Sequence, residues 1–286
     1  VMKALDLAAP DAVLASNTSY LDIDLMAACL ADPSRLVGLH FFSPAHIMKL
    51  LEIVRGAATS DRSLATGYAL AKRLRKIPVE VGVCDGFVGN RMLQRVREAA
   101  ELLLIDGAEF KQIDSVMRGF GYAMGLYATQ DMSGLDIAWA NRRRQQATRD
   151  PKRRYSRVQD QMCEAGWLGR KAGRGWYLYE DGKAIGPNPE VASLIEAEAE
   201  RHGIARRPLA DDAVMETLLL ALINEAAAIL DEGIARKASD VDLVLVHGYG
   251  FPRFRGGPLC HADTIGLDVI RDRLAALETA DPVIWK

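Results

Sequence analysis

The chain has 286 residues, 49% hydrophobic and 26% charged, with a net charge of -2, which is enough for two or three cores and leaves no positive excess to make nucleic acid the main partner. Its four cysteines, Cys29, Cys84, Cys163 and Cys260, are scattered without a C-x-x-C pair, so neither a metal site nor a disulfide framework is expected, and reduced thiols suggest the cytoplasm. No unbroken apolar run approaches the roughly 18 residues of a membrane span, and no signal-peptide pattern opens the chain, so neither a membrane nor secretion is expected.

The opening VMKALDLAAP reads as the tail of a helix already under way, and an N-terminal truncation is expected. From 12 to 16 the run AVLAS reads as a buried strand ending in a polar turn, Asn17-Thr18-Ser19. Positions 23–30 have helical apolar spacing, closed by Asp32-Pro33-Ser34, and LVGLHFF at 36–42 is a second strand. Strand, helix and strand in this order predict a right-handed crossover between parallel strands. Ligands bind at the carboxyl ends of such strands. Ser19 follows one end and His40 lies near another.

The stretch from Gly38 to Val54, GLHFFSPAHIMKLLEIV, reads as a hairpin folded about position 46, which sets His40 opposite Glu52. Residues facing each other across an antiparallel pair lie roughly 4.5 to 5.5 Å apart, near enough for imidazole and carboxylate to hydrogen-bond. A carboxylate on one ring nitrogen fixes the tautomer and leaves the other nitrogen as the acceptor a general base needs. Spacing alone equally allows a packed pair with the histidine satisfied by a backbone carbonyl.

Thr59-Ser60-Asp61 supplies helix-start chemistry, 64–74 carries the helix, and 77–83 is another strand beginning around Pro78. No G-x-G-x-x-G follows a strand; Gly119-Phe120-Gly121 and Gly248-Tyr249-Gly250 follow helical patterns and lack the third glycine. Beyond Cys84-Asp85-Gly86 a long helical pattern runs from Phe87 to about Ile105, and the rest is mostly helix. A degenerate repeat relates LLLIDGAEFKQIDSVMRGFGYAMG, ending in Gly134-Leu135-Asp136, to AAILDEGIARKASDVDLVLVHGYGFPRFRGG, ending in Gly266-Leu267-Asp268. The glycine-rich 169–175 and aromatic Trp176, Tyr177 and Tyr179 lie between the copies, with a boundary near 186 before Pro187 and Pro189. The expected fold is α/β followed by all-α: a partial doubly wound sheet of the Rossmann type without its glycine-rich half, at 1–86, then two related helical domains at 87–186 and 187–286.

Asn90, after the glycine-rich turn, can cap the long helix or point into a cleft, and capping is favoured by residue type. Ser19 can bind a substrate or its own backbone. The basic run Arg142, Arg143, Arg144, Arg149, Lys152, Arg153, Arg154 and Arg157 could attract a polyphosphate, but a solvated face accounts for it better. His46, His202, His247 and His261 have no partner at metal-ligand spacing, and Trp139, Trp167 and Trp176 read as packing.

Four motifs, Ser16-Asn17-Thr18-Ser19, Gly38-Leu39-His40-Phe41-Phe42-Ser43-Pro44, Met48-Lys49-Leu50 with Glu52, and Gly86-Phe87-Val88-Gly89-Asn90-Arg91, resemble in order and spacing the L-3-hydroxyacyl-CoA dehydrogenase family of fatty-acid β-oxidation. The second repeat, with Gly248 to Arg253 and Arg255-Gly256-Gly257-Pro258, resembles members that fuse an enoyl-CoA hydratase module upstream. The resemblance implies oxidation of an L-3-hydroxyacyl-CoA with NAD. It makes His40 the base, Glu52 its orienting partner, Ser19 and Asn90 substrate contacts, and Asn17 with Ser19 the cofactor contacts within this chain. Because the family's glycine-rich turn would precede Val1, these residues alone are expected neither to bind NAD normally nor to turn over. A non-catalytic helical assembly or acyl-CoA-binding fragment is the alternative, and an oligomer is compatible with either.

Overall fold

A computed structural model describes residues 1–285. After α1 (Met2–Ala8) come β1 (Leu14–Ser16), α2 (Ile23–Ala27), β2 (Leu36–Phe41), β3 (Leu50–Val54), α3 (Asp61–Arg73) and β4 (Ile77–Val81). The sheet has the order β1-β2-β3-β4, with β1 parallel to β2, β2 antiparallel to β3, and β3 parallel to β4. Beta1 and β2 are parallel and joined through α2, the pairing that the strand, helix, strand order predicts.

The strand period of two divides this sheet chemically. Val37, Leu39, Leu51 and Ile53 form one cluster with Leu64 and Ala71 of α3, all nearly or fully buried. Each of the valine, leucine and isoleucine side chains stabilises the fold by about 1.5–3 kcal/mol through burial. Gly67 lets the helix approach, because a Cβ there would stand 3.2 Å from Leu39 Cδ2. Alpha3 starts where Ser60 Oγ accepts from the Ser63 N–H and presents Leu64, Gly67 and Ala71 to the sheet at helical spacing. With the odd positions of β2 and β3 turned to α3, His40, Leu50, Glu52 and Val54 belong to the opposite face.

The helical part comprises α4 (Phe87–Asp106), α5 (Phe110–Phe120), α6 (Leu126–Ser133), α7 (Leu135–Gln145) and α8 (Val158–Glu164), then a hairpin of β5 (Tyr177–Glu180) and β6 (Lys183–Pro187). It continues with α9 (Pro189–Arg201), α10 (Asp211–Asp231), α11 (Ala238–Gly248), α12 (Pro258–Ile265) and α13 (Leu267–Ala280). Two compact units form: one joins Val1–Arg95 to Leu222–Leu267, and the other joins Val96–Ala221 to the segment from Asp268 onward. In the first unit α11 packs on β3 and β4, and the Gly82 N–H donates to the Ile234 carbonyl at 2.7 Å.

One capping device occurs in both halves of the repeat. In one, buried Asp114 of α5 accepts from the N–H groups of Tyr127 (2.8 Å) and Ala128 (3.0 Å) at the start of α6. In the other, Asp242 of α11 accepts from Leu259 (2.8 Å) and Cys260 (3.1 Å) at the start of α12. Each carboxylate satisfies donors that a helix N-terminus leaves unpaired. Glycine precedes each helix because a Cβ would stand 2.2 Å from Asp114 Cγ at Gly125 and 2.3 Å from Asp242 Oδ1 at Gly257. The closing glycines, Gly134 and Gly266, both have positive φ, 91° and 102°.

The β5–β6 hairpin is an element that the glycine-based turn reading of 169–188 did not foresee. Its anchor is fully buried Trp176, whose ring lies 4.1 Å from Tyr127 and 5.6 Å from Phe110, and whose Nε1–H donates to Gln130 Oε1 at 3.2 Å. Alpha10 is the one helix among the described residues long and apolar enough to cross a membrane. The search for an unbroken apolar run missed it because acidic residues interrupt it. Its buried Val214, Leu218, Ala221, Leu222, Ala226 and Ile229 make it a core helix.

Candidate active site

The register pairs His40 with Glu52 across β2 and β3, as the hairpin reading requires. His40 is 4% exposed and Glu52 fully buried, with Nδ1 of the ring 2.6 Å from Oε2 of the carboxylate. The other carboxylate oxygen, Oε1, accepts from the backbone N–H of Gly89 at 2.9 Å. Gly89 lies in the first turn of α4, where N–H groups have no partner within the helix and the helix dipole favours negative charge. Beta3, β2 and the start of α4 thus converge on one carboxylate.

That arrangement assigns the tautomer. A carboxylate accepts only, so Nδ1 carries the hydrogen and Nε2 presents its lone pair. Nε2 makes no hydrogen bond among the described residues and is not sealed from solvent. Phe42 and Phe87 hold the ring, with centroids 4.6 and 5.5 Å away. Phe87 takes a left-handed backbone (φ 51°) directly after Gly86 (φ 79°). For a bulky residue this costs of order 1–3 kcal/mol, which its buried ring offsets. Burial pushes the Cys84 thiol up to about 11, and its Sγ donates to the Phe87 carbonyl at 3.3 Å. It stays protonated, so no thiolate adds negative charge near Glu52.

The turn after β1 closes the site from the other side. Asn17 Oδ1 accepts from the Phe41 N–H at 3.0 Å and ties this turn to β2. Ser16 Oγ accepts from the Thr18 N–H, and Thr18 Oγ1 from the Leu21 N–H. The hydroxyl of half-buried Ser19 makes no hydrogen bond among the described residues, whereas its carbonyl accepts from Asn90 Nδ2 at 3.5 Å. Asn90 lies inside the first turn of α4, not at its cap, and its Oδ1 accepts from the Tyr249 hydroxyl at 2.9 Å. The capping preference is therefore corrected: the helix begins at Phe87, leaving the Asn90 amide free to reach sideways.

The sequence reading missed Gly89 and Tyr249. Gly89 must be glycine because a Cβ would lie 2.7 Å from Tyr249 Cε2 and 3.1 Å from Phe42 Cζ. Asn90 and Tyr249 are 159 positions apart, and no local pattern connects them.

The end of β1 fits the neutral nicotinamide end of a dinucleotide better than its pyrophosphate. It supplies an amide, a hydroxyl without a partner and backbone groups, while α2 is capped by the Asp22 carboxylate with Asp24 in its first turn. Two carboxylates at that N-terminus oppose a phosphate. The basic run does not serve instead: Arg142 pairs with Asp160, Arg153 with Glu98 and Arg154 with Asp106 and Asp281, while Arg143 and Arg149 lie over Trp139 and Tyr155. No cluster of metal-ligating side chains occurs among the described residues.

Residues 1–84 match a family described as 3-hydroxyacyl-CoA dehydrogenase, NAD binding domain, and residues 86–179 and 214–282 match its C-terminal domain. The chain is 42% identical to the peroxisomal bifunctional enzyme of Danio rerio over 96% of its own length and 40% of that protein. It is 36% identical to a peroxisomal fatty acid beta-oxidation multifunctional protein of Oryza sativa subsp. japonica, over 93% of its length and 37% of that protein. The chain thus spans about 40% of the length of the curated relatives it matches. Among solved structures, the dehydrogenase part of multifunctional enzyme 1 from C. elegans aligns over 99% of this chain and 66% of that one, with TM-score 0.68 and 28% identity. The expected cytoplasmic location is overturned by these relatives, which are named peroxisomal. Unpaired cysteines do not distinguish one compartment from another.

Proposed function

Because this chain belongs to the 3-hydroxyacyl-CoA dehydrogenase family, we propose that it carries the dehydrogenase chemistry of a multifunctional β-oxidation enzyme: oxidation of an L-3-hydroxyacyl-CoA to the 3-oxoacyl-CoA. The observation that carries this reading is the buried Nδ1···Oε2 contact of 2.6 Å, which leaves Nε2 of His40 as an acceptor. His40 takes the proton of the substrate 3-hydroxyl on Nε2. Glu52 keeps Nδ1 protonated and stabilises the imidazolium that results, while Gly89 keeps Glu52 from turning. Asn90 and Ser19 offer an amide N–H and a hydroxyl to the substrate oxygen, and Asn17 with Ser19 borders the cofactor. NAD, when bound, supplies the hydride acceptor. Phe42 and Phe87 exclude water around the base.

In this reading 1–86 is the remainder of the NAD-binding domain, 87–186 the first helical domain and 187–286 its repeat, supported by the shared aspartate caps. An enoyl-CoA hydratase module upstream is part of the proposal and is supported by relatives named as bifunctional and multifunctional enzymes. The test follows NADH oxidation with acetoacetyl-CoA spectrophotometrically, using the whole enzyme that carries this chain. Turnover is expected; none would refute the dehydrogenase reading.

A further inference from the structure

The side chain of Asn90 is hydrogen-bonded to a residue far along the chain, Tyr249. The Ser19 carbonyl is an acceptor only, so the Asn90 atom that meets it at 3.5 Å is the amide nitrogen. Oδ1 then faces the opposite way, where the Tyr249 hydroxyl donates to it at 2.9 Å. The Ser19 carbonyl sets which way the amide turns, and the Tyr249 hydroxyl, able to donate or accept, donates to the oxygen that then faces it.

Tyr249 is itself held. Its ring stands edge-on to Phe42 at 5.5 Å and fills the space that Gly89 leaves, where a Cβ would be 3.0 Å from Oη. Gly248 is similarly close, since a Cβ there would lie 2.7 Å from Leu50 Cδ2 and 3.3 Å from Phe42 Cε1. Phe42 in turn lies against the His40 ring. One phenol therefore touches both the amide at the site and the wall that holds the base.

An amide nitrogen has two hydrogens, and Ser19 takes one. The second remains for a substrate oxygen. If the amide flipped, it would present a carbonyl to that oxygen, replacing attraction with repulsion. Resting on the dehydrogenase reading, we propose that Tyr249 is a positioning residue of the reaction: its hydroxyl locks Asn90 with the amide nitrogen turned toward the substrate. The second helical repeat thereby contributes to the chemistry, not only to the fold.

The test is a double-mutant cycle in the whole enzyme, with an independent structural readout on this chain. Tyr249→Phe keeps the ring against Phe42 and Gly89 and removes only the hydroxyl. It should lower kcat for acetoacetyl-CoA about tenfold, the scale of one hydrogen bond, without changing the KM for NADH. In an Asn90→Ala background, the same substitution should have no further effect. An equal fall in both backgrounds, or no fall in the first, would overturn the proposal. In the whole enzyme, the side-chain amide resonance of Asn90, identified by its loss in Asn90→Asp, should shift and exchange faster in Tyr249→Phe; an unchanged signal would also overturn it. If the unmodified enzyme does not oxidise NADH, the dehydrogenase reading fails, and the amide resonance separately upholds or overturns the clamp on Asn90.

Discussion

Glu101→Gln should remove part of the pH dependence of stability. Glu101 lies on α4, is 8% exposed and accepts from Gln159 Nε2. Burial pushes its carboxyl from 4.5 up to about 7, with the nearby Arg142 guanidinium opposing only part of that effect. The folded-state value lies above the unfolded one, so the folded protein holds the proton more tightly. The resulting stabilisation is fully present below about pH 4.5 and is lost as pH rises through about 7. At roughly 1.4 kcal/mol per pH unit, the whole effect is about 3 kcal/mol. A glutamine can still accept from Gln159 and carries no charge to bury. Urea unfolding of both proteins between about pH 4 and about pH 8 measures the difference directly. The glutamine variant should gain on the natural protein by up to about 3 kcal/mol across that range. Asp131, pushed up to about 6 by burial, and Asp114 and Asp242, raised by the same cause, are common to both proteins and cancel in the comparison. Parallel curves would refute the reasoning, because they would mean that Glu101 gives up its proton as readily folded as unfolded.

Asp114→Ala and Asp242→Ala each remove a carboxylate that caps a helix with two hydrogen bonds. Each should lower unfolding free energy in urea by about 1–2 kcal/mol. Gly257→Ala combines a φ of 122° with a Cβ 2.3 Å from Asp242 Oδ1, whereas Gly233→Ala has a φ of 70° and open space. Thermal unfolding should therefore show only about 1 kcal/mol lost at Gly233 and distinctly more at Gly257. Ile53→Ala empties a fully buried position under α3 and should cost about 2–5 kcal/mol, measured by the same unfolding.

Local signals carried much of this molecule. The alternation in GLHFF and LLEIV placed His40 opposite Glu52 because strand period and hairpin connection together fix register. Ser60 marked the start of α3, whereas the boundary near 186 falls within β6 and the helix α9 begins just after it, capped by Asn188. The repeat was visible in Gly134-Leu135-Asp136 and Gly266-Leu267-Asp268, but the shared caps at Asp114 and Asp242 emerged only when residues distant along the chain met. Residue type alone favours a cap at Asn90, and only the resemblance turns it toward the substrate, because the helix begins earlier, at Phe87, with a left-handed residue that composition does not announce. Tyr249 was equally hidden, since a phenol in a glycine-flanked turn identifies no partner until the fold brings one to it.

The central claim is that His40, oriented by Glu52, takes the alcohol proton. His40→Gln in the whole enzyme keeps a polar side chain of similar reach and removes the base. Steady-state turnover should fall by roughly 10² to 10⁴-fold, while NADH affinity measured by fluorescence titration stays the same. Unchanged turnover in that variant would contradict the account.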